Sequence, residues 1–154
     1  MARLPSFVYR LAGRYSLTTF NRRLHVPLYR LTGGRWLLGR VLGVEMVVLT
    51  TRGSSSGRAR STVLFAFADG PSWVVVASRG GSGRLPAWYR NLQAEPHARL
   101  EVRRRQLAVR ARDAEGAEYE RLWALANASY PGFDQYQERT THRIPVVILE
   151  RAPT

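Results

Sequence analysis

The first 32 residues place apolar side chains at helical steps of three and four. The stripe includes Leu17, Phe20, Leu24, Leu28 and Leu31. Most arginines of this stretch fall off the stripe, which predicts amphipathic helix. Pro27 predicts a kink or split, and Gly33-Gly34 predicts the helix end. We therefore expect an N-terminal amphipathic helical segment at 1–34 and a separate domain at 35–154.

From Gly43 the pattern changes to β-branched runs and to alternation of apolar and polar positions, which is typical of strands. The predicted strands cover residues 44–51, 60–68, 73–78, 98–103, 107–112 and 145–149. Helices are predicted at 85–94, 115–129 and 133–140. Arg104-Arg105 is the predicted turn between the fourth and fifth strands, and Asp113 is the predicted cap of the second helix. This order predicts the α+β class, with a small antiparallel sheet curled into a barrel.

The net charge of the chain indicates which classes of partner it can bind. The chain has 154 residues, 24 basic and 11 acidic, and every basic residue is arginine. Residues 1–44 contain no acid at all. Such a chain should attract polyanions, namely nucleic acid, an anionic membrane surface or a phosphorylated cofactor. Because no nucleic-acid recognition motif occurs, we expect no nucleic-acid partner.

Other absences also shape the expectations. Cysteine is missing and the three histidines are far apart, so we expect neither thiol chemistry nor a metal site. No secretory signal or membrane-spanning run is visible, which predicts a cytoplasmic protein. The acid-free N-terminal segment predicts peripheral contact with the inner face of the plasma membrane. The alternative is that this helix packs on the barrel or on a second subunit.

Two loops are the candidate functional segments. The serine loop, residues 52–60, lies between two predicted strands, and the glycine loop, residues 78–84, follows the third. Hydroxyls, backbone N–H groups and flanking arginines suit an anion, although a solvated turn is the alternative for the serine loop. No nucleophile–base pair or paired carboxylates stand out, so catalysis would depend on a cofactor.

Four motifs resemble the deazaflavin-dependent nitroreductase family. They are LTTRGSSSGRAR at 49–60, VVVASRGG at 74–81, PAWYRNLQAEP at 86–96 and YPGFDQYQERTTHRIPVVILE at 130–150. The resemblance implies a split β-barrel of the FMN-binding type and coenzyme F420 (8-hydroxy-5-deazaflavin) as hydride donor. It also implies an oxidoreductase acting on a quinone or nitroaromatic acceptor, with a homodimer as one option. A non-catalytic F420-binding protein and an FMN-dependent split-barrel oxidoreductase stay open as alternatives.

The resemblance assigns roles to individual residues. The cofactor phosphate would be held by the serine loop, through Arg52, Gly53, Ser54, Ser55, Ser56, Gly57, Arg58 and Arg60. The ring would be bordered by Ala77, Ser78 and Arg79, with Trp88 and Asn91 on its far side. The acceptor pocket would be lined by Tyr130, Phe133 and Tyr136, although such aromatics also plug core edges. Hydrogen bonds to the oxygen that gains charge would come from the catalytic residues, Ser78, Tyr130 and Tyr136.

The serine loop departs from the family pattern. That pattern usually reads Gly-Arg-Lys-Ser/Thr-Gly, whereas Ser54 and Ser55 stand here in place of the two cations. Arg52 and Arg58 flank the loop and are the expected replacements.

Overall fold

The computed structural model describes residues 24–33 and 44–153, and the helix expected over residues 1–23 lies outside them. Within this part, a closed antiparallel barrel has the strand order β1-β2-β3-β6-β5-β4. Its strands are β1 Glu45–Arg52, β2 Ala59–Asp69, β3 Ser72–Val76, β4 His97–Val102, β5 Arg105–Asp113 and β6 Val146–Arg151. The helices are α1 Val26–Thr32, α2 Ala87–Ala94, α3 Gly116–Ser129 and α4 Gly132–Glu138, and a 3₁₀ turn covers Arg79–Gly81. The predicted class, barrel and order of elements are confirmed; the division at residue 34 stays a prediction.

The barrel closes where β1 pairs with β4. Leu49 lies opposite Leu100 in that pairing, and both side chains are fully buried in the barrel interior. On the outer faces of the strands, α3 and α4 cover a second buried cluster. Because strands covered on both sides need apolar residues on both faces, the strands read as continuous runs such as Val74-Val75-Val76.

Two local predictions are wrong, and in both cases strand pairing decides the outcome. Val102 pairs with Arg105, so the turn is Arg103-Arg104 and not Arg104-Arg105. The two arginines have φ values of 48° and 64°, as a two-residue primed turn requires. Asp113 ends β5 and does not cap α3, whose N-cap is Glu115.

Helix α1 is attached to the seam between β1 and β4. Val26 and Tyr29 pack in a buried cluster with Met46. The Tyr29 hydroxyl lies 2.9 Å from Met46 O and 3.2 Å from Glu101 O. The Arg30 guanidinium donates to both carboxylate oxygens of Glu101, at 2.9 and 2.5 Å. The barrel-packing alternative therefore holds for this part of the N-terminal segment.

The leucine stripe of α1 is not the face that packs on the barrel. Leu24 is 53% exposed and Leu31 is 83% exposed. Leu28, between them on the same face, is half-buried. The helix ends as predicted at Gly33, which adopts a left-handed conformation. Helix α1 thus presents one apolar face to the barrel and a second apolar face outward.

Both candidate loops lie at the same end of the barrel. The serine loop joins the end of β1 to the start of β2, since Arg52 pairs with Ala59. Strand β3 runs antiparallel to β2, so its end, from which the glycine loop leaves, points to that same end. In the described residues, no helix is long and apolar enough to cross a bilayer.

Candidate functional site

The serine loop is a tight connection whose backbone donors point mostly inward. Gly53 donates its N–H to Arg58 O at 2.9 Å. The N–H groups of Ser56 and Gly57 both donate to Gly53 O, at 3.2 and 2.7 Å. A Cβ at Gly53 would lie 2.7 Å from Ser56 Oγ and 3.2 Å from Arg58 O, so a side chain there would require the Ser56 hydroxyl to turn away. Because these N–H groups are used within the loop, a ligand would meet mainly hydroxyls and arginine side chains.

Among residues 24–33 and 44–153, the arginines of both loops form no ion pair with a carboxylate. The pKa of Glu95 is lowered mainly by its hydrogen bond with His97 and further by the charge of Arg52. In the part of the chain that the structure describes, arginine ion pairs form elsewhere: Arg30–Glu101, Arg103–Glu45, Arg112–Glu118, Arg112–Glu150, Arg121–Asp69 and Arg143–Glu120. None of these pairs involves the loop arginines, which are Arg52, Arg58, Arg60, Arg79 and Arg84. The two loops thus place five arginines, which form no ion pair among the described residues, at this barrel end, where they attract anions.

Helix α2 contacts the serine loop through the side chain of Asn91. The Asn91 side chain is buried; its Oδ1 accepts from Ser54 N–H at 3.0 Å and its Nδ2 donates to Thr51 Oγ1 at 3.0 Å. Trp88, one turn earlier, is buried in the barrel-interior cluster that also contains Ala77. The structure thus brings Asn91 to the loop and places Trp88 in the core. Their predicted contacts with a cofactor ring stay predictions.

The glycine loop begins with a backbone conformation that is costly for a side chain. Arg79 has a φ of 45°, which is uncommon outside glycine. Gly81 N–H donates to Ser78 O at 2.9 Å and closes the 3₁₀ turn. Ser78 is 9% exposed. Such conformations occur in tight turns as well as at ligand-binding positions, so the role of this loop stays a prediction.

The three candidate aromatic residues form a buried cluster next to the glycine loop. Tyr130, Phe133 and Tyr136 are 2%, 4% and 3% exposed. The two tyrosine hydroxyls lie 2.9 Å apart, and the Phe133 ring packs edge-to-face on Tyr130 at 5.0 Å. Burial raises the pKa of Tyr136, so its hydroxyl keeps its proton at neutral pH. The trio belongs to the core cluster under α3, and its acceptor-lining role stays a prediction.

Gly81 connects the glycine loop to this aromatic cluster. Its φ is +73°, and a Cβ there would lie 2.7 Å from Tyr136 Cδ1 and 3.2 Å from Tyr136 Cα. The loop backbone can therefore approach the tyrosine this closely only without a side chain. The position of Tyr136 and the shape of the glycine loop are coupled by this contact.

Thr51 is a site residue that the sequence analysis missed. It shares the inward face of β1 with Val47 and Leu49, is 2% exposed, and receives the amide of Asn91. A lone polar residue on an apolar inward face is the signal that could have indicated it, because buried hydroxyls need a partner.

These features define the class of protein. A closed antiparallel barrel carries two loops with unpaired arginines at one end. The described residues contain no group of three metal-ligating side chains. Hydroxyl and guanidinium donors suit the phosphate and carboxylates of a long anionic cofactor. The arrangement fits the split-barrel oxidoreductase that the sequence resemblance implies, since the donor set suits the phosphate and oligoglutamate tail of F420.

Comparison with known proteins identifies the family. Residues 21–151 match the model of the family described as F420H(2)-dependent quinone reductase. A relative of that name from Mycobacterium tuberculosis is 37% identical over 133 residues, which cover 84% of this chain and 89% of the relative. The chain belongs to the F420H(2)-dependent quinone reductase family.

Solved structures agree with this assignment. An F420-H2 dependent reductase matches with 37% identity and a TM-score of 0.64, covering 68% of this chain and 93% of that one. A second structure, described as a domain-swapped dimer, has the same identity and TM-score and covers 68% and 79%. The predicted split β-barrel and the predicted resemblance to deazaflavin-dependent enzymes are confirmed.

The contact between Gly81 and Tyr136 can be tested by alanine substitution. Gly81→Ala should destabilise the protein by about 1–2 kcal/mol for the left-handed backbone and by about 1–3 kcal/mol more for the overlap with Tyr136. Gly83→Ala is the matched control, because Gly83 has a φ of +70° and open space around its Cα. Chemical denaturation measures both free energies of unfolding. Equal losses for the two variants would show that the Tyr136 contact carries no constraint.

Proposed function

We propose that this protein reduces a quinone with reduced coenzyme F420, and that the two loops at one barrel end hold the anionic part of the cofactor. F420 is the cofactor, and a quinone the acceptor, in the name of the family to which the chain belongs. The cofactor is assigned to this barrel end because the serine and glycine loops there contain arginines that form no ion pair among the described residues. We extend the acceptor class to nitroaromatic compounds, which are also reduced by hydride addition.

The serine loop would hold the cofactor phosphate mainly through side chains. Arg52, Arg58 and Arg60 are exposed, as are the hydroxyls of Ser54 and Ser55. Arg60 Nη2 lies 3.3 Å from Ser56 Oγ, which holds its guanidinium over the loop. Charge-assisted hydrogen bonds from guanidinium groups are the strong kind, so they can replace the two cations of the family pattern. When bound, reduced F420 supplies the hydride.

The acceptor would lie against the glycine loop and α4. Hydride addition to a quinone places negative charge on a carbonyl oxygen, and a nearby hydroxyl stabilises that charge. Ser78, Tyr130 and Tyr136 are the candidates, with Phe133 packing against the acceptor. Burial raises the pKa of Tyr136, so the phenol remains a hydrogen-bond donor across the physiological pH range. The Gly81 contact supports this placement, because it joins Tyr136 to the loop that would border the cofactor ring.

Cofactor binding is tested by Arg60→Ala. The substitution should weaken F420 binding by about 1.5–3 kcal/mol, the range for a hydrogen bond to a charged group. Arg105→Ala is the matched control: it removes the same charge from an exposed arginine at the opposite barrel end. Fluorescence titration measures both affinities, and binding to wild type should weaken as salt is raised.

FMN provides the comparison that decides between cofactors. Wild type should be nearly indifferent to FMN. Tighter binding of FMN than of F420 would contradict the proposed cofactor, and unchanged F420 affinity in the Arg60 variant would remove this arginine from the site. F420 binding without turnover of any quinone would favour a non-catalytic carrier.

The role of the phenol is tested by Tyr136→Phe. Turnover with a quinone and with a nitroaromatic acceptor should fall, whereas F420 affinity should stay nearly unchanged. Since the folded-state pKa of Tyr136 lies above its ordinary value of 10.0, the stability from this hydroxyl is present below about pH 10 and is lost as pH rises. The variant should show a smaller alkaline decline than wild type, because the raised pKa values of Tyr29, Tyr89 and Tyr119 still contribute theirs. Denaturation at several pH values and turnover, measured on one preparation, check both. Lower stability with unchanged turnover per folded molecule would mean that Tyr136 only fills the core.

We further propose that the outward face of α1 contacts an anionic membrane surface, from which a lipid-dissolved quinone is reached. Leu24 and Leu31 are exposed on that face. Arg104 packs over Gly33 at the helix end and has no ion pair in the described part of the chain. Apolar residues combined with unpaired arginines are what anionic bilayers bind.

Membrane contact is tested with vesicles. Wild type should co-sediment with anionic vesicles at low salt, and the double variant Leu24→Ser, Leu31→Ser should bind several-fold less because each lost apolar side chain weakens insertion. Neutral vesicles are the control. Substitution is preferred to removal of residues 1–32, since removal would uncover Met46, against which α1 packs.

One outcome of this experiment would overturn the proposal. Equal sedimentation of the folded double variant and of wild type would exclude the α1 face as the membrane contact.

Light scattering on the same preparation measures the mass of the assembly. We expect a homodimer, which is supported by the similar structure described as a domain-swapped dimer.

A further inference from the structure

A buried polar chain runs beneath the serine loop and connects three elements. Asn91 on α2 donates from Nδ2 to Thr51 Oγ1, at the end of β1. Thr51 Oγ1 in turn lies 3.4 Å from Arg60 O, at the start of β2. From its other atom, Oδ1, Asn91 accepts the backbone N–H of Ser54 at 3.0 Å. Helix α2 is thereby joined to both strands and to the loop between them.

Both polar atoms of the Asn91 side chain are used inside the protein. Asn91 is 7% exposed and Thr51 is 2% exposed. The loop residues above them are exposed from Ser54 to Arg60. A ligand on the outer side of the loop would therefore meet the loop itself before it could reach either buried side chain.

We infer that Thr51 and Asn91 are positioning residues, which fix the serine loop in the shape that binds an anion without touching that anion themselves. This inference rests on the proposed function, because the anion is taken to be the phosphate of F420. It differs from the role that the resemblance implies for Asn91, namely contact with the ring.

The physical reason lies in the composition of the loop. Gly53 and Gly57 leave the backbone mobile when unconstrained, and Gly57 adopts a φ of +63°. Ordering such a loop on binding costs conformational entropy, and a loop already ordered avoids that cost. The bond from Ser54 to Asn91 crosses from the loop to a helix, so it orders the loop against the barrel and not only within itself.

The experiment compares Thr51→Val with Thr51→Ser in the full chain. Valine keeps the shape and removes the hydroxyl, whereas serine keeps the hydroxyl and is the rescue variant. Trypsin cleavage after Arg58, followed by mass spectrometry, reports loop opening without any cofactor. Fluorescence titration with F420, and with the deazaflavin that lacks the phosphate and oligoglutamate tail, reports whether the loop affects binding of the anionic part.

The expected result is a selective loss. Thr51→Val should accelerate cleavage after Arg58 and weaken F420 binding by about fivefold, the worth of one net hydrogen bond, with no effect on the tail-less deazaflavin. Thr51→Ser should match wild type in both assays. Asn91→Ala, which removes both bonds, should show larger effects, and it replaces Thr51→Val if the melting temperature shows that the valine variant does not fold.

Two other results separate the inference from the proposed function. If Thr51→Val and Thr51→Ser have equal cleavage rates and equal F420 affinities, the positioning role is wrong even though F420 binds. If wild type does not bind F420, the proposed function fails, and the cleavage rates alone then decide whether Thr51 and Asn91 fix the loop. Faster cleavage only in the valine variant supports the positioning role. Equal cleavage rates in the two variants overturn it.

Discussion

Antiparallel pairing of β1 with β2 and of β2 with β3, in a barrel closed by β1 and β4, is the constraint on which the site depends. Antiparallel pairing around a closed sheet sends alternate strand ends to the same rim, so loops that are distant in sequence become neighbours. The serine loop and the glycine loop share that rim because β1 ends, β2 begins and β3 ends there. Helix α2 then follows the glycine loop directly, which allows Asn91 to reach back to Ser54. No single segment contains the site; the pairing register assembles it.

The distribution of ion pairs determines the charge of this rim. The chain carries a formal charge of +13, yet the excess is not spread evenly over the described surface. Carboxylates on β1, β2, β4, β6 and α3 bind arginines that support the scaffold, as Glu118 and Glu150 do with Arg112. The loops contain no acid of their own. Arginines elsewhere, such as Arg99, Arg105 and Arg151, also form no ion pair within the described residues. The rim differs in that its two loops group several such arginines with no acid in either loop, where an anionic cofactor would bind.

Most of the fold could be predicted from the sequence because periodicity and turn residues agree with each other. The order of elements along the chain, the barrel and the α2 helix follow from alternation, from glycine and proline positions and from β-branched runs. The Arg103-Arg104 turn could not be predicted, because arginine is a poor residue for positive φ. Its register is imposed by pairing across β4 and β5, and Arg103 is held there by Glu45 at 2.8 Å. Long-range pairing overrode local preference at this point.

The site was only partly predictable for the same reason. Loop composition and motif order indicated which segments matter, but not which atoms are already used. Several backbone N–H groups of the serine loop donate within the loop itself, and both polar atoms of the Asn91 side chain bond to Thr51 and Ser54. The sequence shows which hydrogen bonds a residue can donate or accept, and only the folded chain shows which donors and acceptors are still unused.

Helix α1 also fixes an orientation. Val26 and Tyr29 pack on the barrel, whereas Leu31 faces outward. A surface that binds the leucine face therefore meets the barrel at one fixed angle, and this angle sets the direction in which the arginine-rich rim points.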